Sequence, residues 1–154
     1  MPSQLSRMIP NEECVLRAAK ERYHFDGPKL KWKVFQPPKG SSRISVVRHA
    51  IGDDACKQQA REIAEDDYRG LASLICEYVR DAGFCVTDER DEHYLGHAEI
   101  DLGIREPIDD EPGDPLARQQ LRDRCKVLLA LSRYLEDPDP NSEVWTGGPM
   151  CLPK

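Results

Sequence analysis

Apolar and polar positions alternate with period two along residues 97–104. Ala98, Ile100, Leu102 and Ile104 fall on one side of such a strand, and His97, Glu99 and Asp101 on the other. Residues 43–50, RISVVRHA, are β-branched and mostly apolar, which predicts a central strand. Upstream, Leu30, Trp32 and Val34 alternate with Lys29, Lys31 and Lys33, predicting a strand over 30–35 with one basic face. Pro37-Pro38-Lys39-Gly40 then supplies the connection that makes a hairpin of 30–35 and 43–50. A third strand begins at 84–87, and the charged stretch 88–92 reads as a solvated turn before the fourth, 97–104.

Spacings of three and four predict three helices. Asn11 caps the first, which carries Val15, Ala18, Ala19 and Tyr23 and ends at Asp26-Gly27-Pro28. The second runs from Asp53 or Asp54 to Gly83. Its stripe comprises Cys56, Ala60, Ile63, Tyr68, Leu71, Leu74, Ile75, Tyr78 and Val79, interrupted by Gly70 at about 1 kcal/mol against Ala. Asp114-Pro115 opens the third in cap-then-proline order. Leu121, Cys125, Leu128, Leu129 and Leu135 give it a buried face, and Asp137-Pro138-Asp139-Pro140 stops it.

The order helix, strand, strand, helix, strand, strand, helix predicts an α+β fold. A mostly antiparallel four-stranded sheet would carry the long central helix and the C-terminal helix on one face. Residues 1–137 read as a single domain and 138–154 as an irregular tail rich in Pro and Gly. Trp145 and Met150 are apolar anchors in that tail, placed to dock on the chain's own domain or to insert into a partner.

Composition adds class and compartment. Of 154 residues, 39% are apolar and 32% charged, which suits a soluble globular domain. No apolar run approaches the roughly 18 residues of a membrane span, and the first residues lack the apolar core of a secretory signal, so the expected location is cytoplasmic. The six cysteines show no C-x-x-C and no close pair. Cys56, Cys76 and Cys125 lie on apolar stripes, and the expectation is reduced thiols packed in the core. A net charge of −6 with scattered basic residues argues against a nucleic-acid surface.

Candidate chemistry centres on His97, Glu99 and Asp101, whose side chains would stand about 7 Å apart along one strand face. Imidazole and carboxylate together suit a first-row metal, with His93 or His49 arriving from a neighbouring segment; His93, His97 and Asp101 are the candidate ligands of a divalent ion. Arg48-His49 closes the strand 43–50, and Arg48, Ser45, Tyr94 and Glu99 also supply the residue types of an ADP-ribosyl transfer site without its fingerprint. Cys85 near a strand end, with His97 downstream, is a candidate nucleophile.

An apolar strand ending in Arg48-His49 and a small residue resembles the opening segment of the histidine phosphatase superfamily. The resemblance implies His49 as phosphoryl acceptor and Arg48 as phosphate clamp, with Leu95-Gly96-His97 standing for the second histidine segment. Ala50 occupies the position where that pattern carries glycine.

Two function classes follow. The first is a small cytoplasmic accessory or adaptor protein that binds another protein or a second copy of itself, with no nucleic-acid or membrane partner. The second is a hydrolase or phosphotransferase using Arg48, His49 and His97 with Glu99 and Asp101, metal-assisted or not.

Overall fold

The computed structural model describes residues 5–109 and 112–152. Six strands form its centre: β1 (Cys14–Lys20), β4 (Arg43–Arg48), β5 (Tyr68–Ile75), β6 (Cys85–Asp88), β7 (His97–Asp101) and β8 (Arg133–Glu136). They make one antiparallel sheet in the order β6-β7-β4-β1-β5-β8, while the two-residue strands β2 (Phe25–Asp26) and β3 (Lys29–Leu30) pair as a separate hairpin. Helices α1 (Asp53–Ala64), α2 (Cys76–Asp81) and α3 (Pro115–Leu131) complete the fold.

The α+β class stands, but the four-stranded sheet with a long central helix is corrected in four places. Residues 14–20 form the sheet's inner strand β1 rather than a helix. Val15 and Ala19 pack into the cluster that includes Leu121, Cys125 and Leu128 of α3, whereas Leu16 and Ala18 pack into the cluster with Cys56, Ala60 and Ala64 of α1. A strand dry on both faces loses its period-two signature, and its small apolar residues then match helical spacing equally well.

The same ambiguity broke the long helix. It stops at Ala64, where Glu65 at φ 57° turns the chain out, and resumes as β5 after a 3-10 turn, Glu65–Asp67. Tyr68, Leu71 and Leu74 are buried on a strand, not along a helical stripe. Gly83, with φ 97°, does end a helix, the short α2. The third correction concerns 30–35, which is the hairpin strand β3 followed by a 3-10 turn, Trp32–Phe35, that buries Val34 and Phe35. Residues 133–136, read as the end of the last helix, form the edge strand β8; α3 stops at Leu131.

Helices therefore lie on both faces. α2, α3 and the 3-10 turn Trp32–Phe35 cover one, and α1 with the C-terminal tail covers the other. The start of α3 is as the residues dictate: Asp114 accepts a hydrogen bond from the Leu116 N–H at 3.0 Å, ahead of Pro115.

Gly70 is required where β5 meets β8. A Cβ there would stand 2.5 Å from the Leu135 carbonyl oxygen and 2.6 Å from the Tyr134 hydroxyl. Because one of these is backbone, the strand itself must move. Gly70→Ala should cost about 1–3 kcal/mol, read as a lower urea midpoint at unchanged slope.

Candidate functional site

The β6-β7-β4 half of the sheet has one dry face and one wet one. Val86, Ala98, Ile100, Ile44 and Val46 point into the α3-side core. On the reverse, the register sets Cys85 and Arg43 beside Asp101, Thr87 and Ser45 beside Glu99, and Val47 beside His97. Cys85, Thr87 and Glu89 there are exposed. Arg43 is the electrostatic centre, with its guanidinium 3.3 Å from Glu99, 3.7 Å from Asp101 and 3.7 Å from Glu89. Such exposed pairs are each worth about 0–1 kcal/mol, so the array is held mainly by the sheet beneath it.

Geometry assigns the proton of His97. Nδ1 lies 3.1 Å from the Glu89 carbonyl oxygen, which can only accept, so Nδ1 carries the proton and donates. In the neutral ring Nε2 is then the acceptor for the Ser45 hydroxyl, 3.2 Å away, with a Glu99 carboxylate oxygen at 3.8 Å. Hydroxyl, imidazole and orienting carbonyl thus stand in series, an order that activates a nucleophile when a substrate and an oxyanion site accompany it. Asp101 stays anionic: burial opposes its charge, but the Gly103 N–H at 2.8 Å, the Ser42 hydroxyl and Arg43 outweigh it and hold the carboxyl below the ordinary range.

Arg48 is not a phosphate clamp. It shares the core side of β4 with Val46, opposite to His97, and is only 1% exposed. Its guanidinium donates to Glu13 at 2.7 and 2.8 Å and to Asp88 at 2.8 Å. The hydrogen bonds to Glu13 raise its pKa against the cost of burial, and Asp88 adds to them. Burial likewise works against the Asp88 charge, yet the Arg90 N–H, Arg48 and the Arg90 guanidinium together lower its pKa. His49 turns instead to Asp53 on the first turn of α1, at 2.7 Å. The histidine phosphatase pattern therefore fails at its clamp.

Nor do the metal candidates converge. His93 is paired with Glu62 of α1 at 3.0 Å, His97 with Ser45, and Asp101 lies four residues further along β7. Among the described residues no group of three or more His, Cys, Asp or Glu side chains could hold a metal ion. Cys85 lies opposite Asp101 rather than His97.

The tail packs on its own domain. Trp145 (7% exposed) and Met150 (1%) join the α1-side cluster, which withdraws both from any partner in this conformation. Lys57 anchors the segment. Its buried ammonium is 3.0 Å from Asp137 and donates to the carbonyls of Asp139 and Val144 at 2.7 and 2.9 Å, while the Tyr68 hydroxyl donates to Asp137 at 2.7 Å. Six reduced thiols is also a correction: Cys14 and Cys151 form a disulfide. Cys56, Cys76 and Cys125 are free and buried; burial pushes the Cys76 thiol up to about 11 and Cys125 to about 12, which makes them inert packing groups.

Ser45 was legible as a residue type but not as the partner of His97, because the register of β4 against β7 joins positions 52 residues apart. Lys57 gave no signal, sitting beside Cys56 in an otherwise ordinary helical segment. Comparison of the chain with protein-family models, with curated proteins and with solved structures yields no match. No described helix is long and apolar enough to cross a membrane.

Removing Arg48 takes the shared donor from Glu13 and Asp88 together and leaves the buried Asp88 to its longer contacts with Arg90 and Arg7. Arg48→Met should cost about 3–5 kcal/mol in urea unfolding at neutral pH. Because the folded pKa of Asp88 is lowered, its stabilisation is fully present above the unfolded value near 3.9 and is lost as pH falls through the folded value. Stability measured across the acid range should therefore fall less steeply below about pH 4 in Asp88→Asn than in the parent chain.

Proposed function

We propose that this chain acts by binding another protein, as an accessory or adaptor subunit, through the open half of its sheet. The observation that carries the reading is that the chemically capable groups are engaged within the chain. Arg48 is held by Glu13 and Asp88, His49 by Asp53, His93 by Glu62, and Glu99 and Asp101 by Arg43. What remains is an ordered, acidic surface of three carboxylates about Arg43, presented by β4, β7 and the end of β6. A polar, registered face of this kind favours specificity and steering over chemistry. The reading gives no part to Trp145 and Met150, which pack on the chain's own domain.

A second reading, a serine-type hydrolase, has one observation in its favour: the series Ser45, His97 and the Glu89 carbonyl. It places the chemistry on Ser45 and His97, with no part for Arg48.

Both readings meet in one experiment. Tagged chain is recovered from its own cells alongside Arg43→Ala, Thr87→Arg and, as a control on α3, Lys126→Glu. All three positions are exposed, so the folds should be kept. The binding reading expects a stoichiometric partner that drops by roughly tenfold with either face variant, near 1.4 kcal/mol, and is unchanged in the control. A partner indifferent to the face variants, or labelling of Ser45 by a fluorophosphonate that His97→Ala abolishes, would overturn it.

A further inference from the structure

Between β1 and β4 the sheet forks. β1 pairs with β5 along its whole length, but its ladder with β4 contains only Val15↔Arg48 and Leu16↔Val47. Past that point the Arg17 side chain takes over. Its Nη1 donates to the Ser45 carbonyl and its Nε to the Val34 carbonyl, each at 2.9 Å. Both acceptors are neutral, and among the described residues no carboxylate lies within ion-pair distance of Arg17. Burial lowers its pKa to about 10, which leaves it charged at neutral pH. A half-buried guanidinium held by two carbonyls and by no carboxylate is a pre-positioned anion anchor.

A cavity of about 400 Å³ opens over it, lined also by Lys20, Lys33, His24, Gln36 and Tyr23, with no carboxylate in its wall. His24 accepts the Lys20 N–H at Nδ1, 3.0 Å away, so in the neutral ring Nε2 carries the proton. The ring is kept neutral. Burial lowers its pKa to about 4, Arg17, Lys20 and Lys31 push the same way, and only Asp67 opposes them. Three cations and three neutral donors, the His24 ring, the Gln36 amide and the Tyr23 hydroxyl, therefore line one concave site. Tyr23 stands at it in a left-handed conformation, φ 75°, with 74% of its surface exposed.

We propose that this cavity binds the phosphoryl group of a small molecule, with the half-buried Arg17 as its anchor beside Lys20 and Lys33. A dianion matches the charge better than a carboxylate does, because three cations face the space. The volume exceeds a bare phosphate and falls within the range of small-ligand sites, leaving room for an organic moiety beside Tyr23. The site lies by the 3-10 turn Trp32–Phe35, where Arg17 meets Val34, and shares no residue with the docking face proposed above. Either can fail without the other.

The test is calorimetric titration of the full chain with inorganic phosphate and, separately, with AMP, at low ionic strength. The proposal expects AMP to bind, phosphate to compete with it, and Lys33→Glu to weaken both by roughly tenfold or more. Lys33 is exposed, so this variant keeps the fold; Arg17→Met is the companion that should abolish binding if it folds. Binding should also raise the pKa of His24, because an adjacent anion favours imidazolium, and the His24 ring resonances report this directly. Phosphate binding without AMP binding supports the site with free phosphate as the occupant. AMP binding that phosphate does not displace, binding indifferent to Lys33→Glu, or no heat from either probe would each overturn the proposal.

Discussion

Burial of β1 on both faces is the constraint from which the rest of this architecture follows. A strand with α3-side neighbours at Val15 and Ala19 and α1-side neighbours at Leu16 and Ala18 must have cover above and below. On one side α3 and the 3-10 turn Trp32–Phe35 are sufficient. On the other, α1 has 12 residues, about 18 Å of helix, and leaves part of β5 and β8 open. The tail supplies the missing cover, laying Trp145 and Met150 over that gap. Lys57 makes this arrangement tolerable: an ammonium can be buried there because one carboxylate and two carbonyls satisfy it.

That constraint also explains which parts of the fold were legible. β7 could be read from its residues because it has one wet face, and alternation survives only where the two faces meet different media. β1 and β5 could not, since 68, 71 and 74 fit a helical stripe as well as they fit a doubly buried strand. The position of Arg48 was available in principle. With Ile44 and Val46 inward, period two carries Arg48 inward as well, and a charge on the dry side implies buried carboxylates such as Asp88 and Glu13. Cys14 and Cys151 offered nothing, because a pair 137 residues apart has no spacing to recognise.

The candidate site shows the same division. The row His97, Glu99, Asp101 is written in one strand, but its chemistry depends on Arg43 and Ser45 from β4 and on the Glu89 carbonyl beyond β6. Residues that meet through strand register leave no local motif. Arg17 is similar: a single polar position inside an apolar run becomes informative only once β4 parts from β1 beside it. Charge is thus segregated in this acidic chain, with three carboxylates gathered about Arg43 on one side of β4 and a basic hollow without carboxylates at the fork.

The disulfide gives the domain a further property. Cys14 lies on the inner strand and Cys151 in the covering tail, so the bond closes a covalent ring around nearly everything between them. A single backbone cut anywhere within that ring, the loop between β7 and α3 included, leaves both pieces in one molecule. Proteolytic damage of this kind is silent in size until the bond is reduced, and a nicked chain keeps its sheet partners tethered at intramolecular concentration.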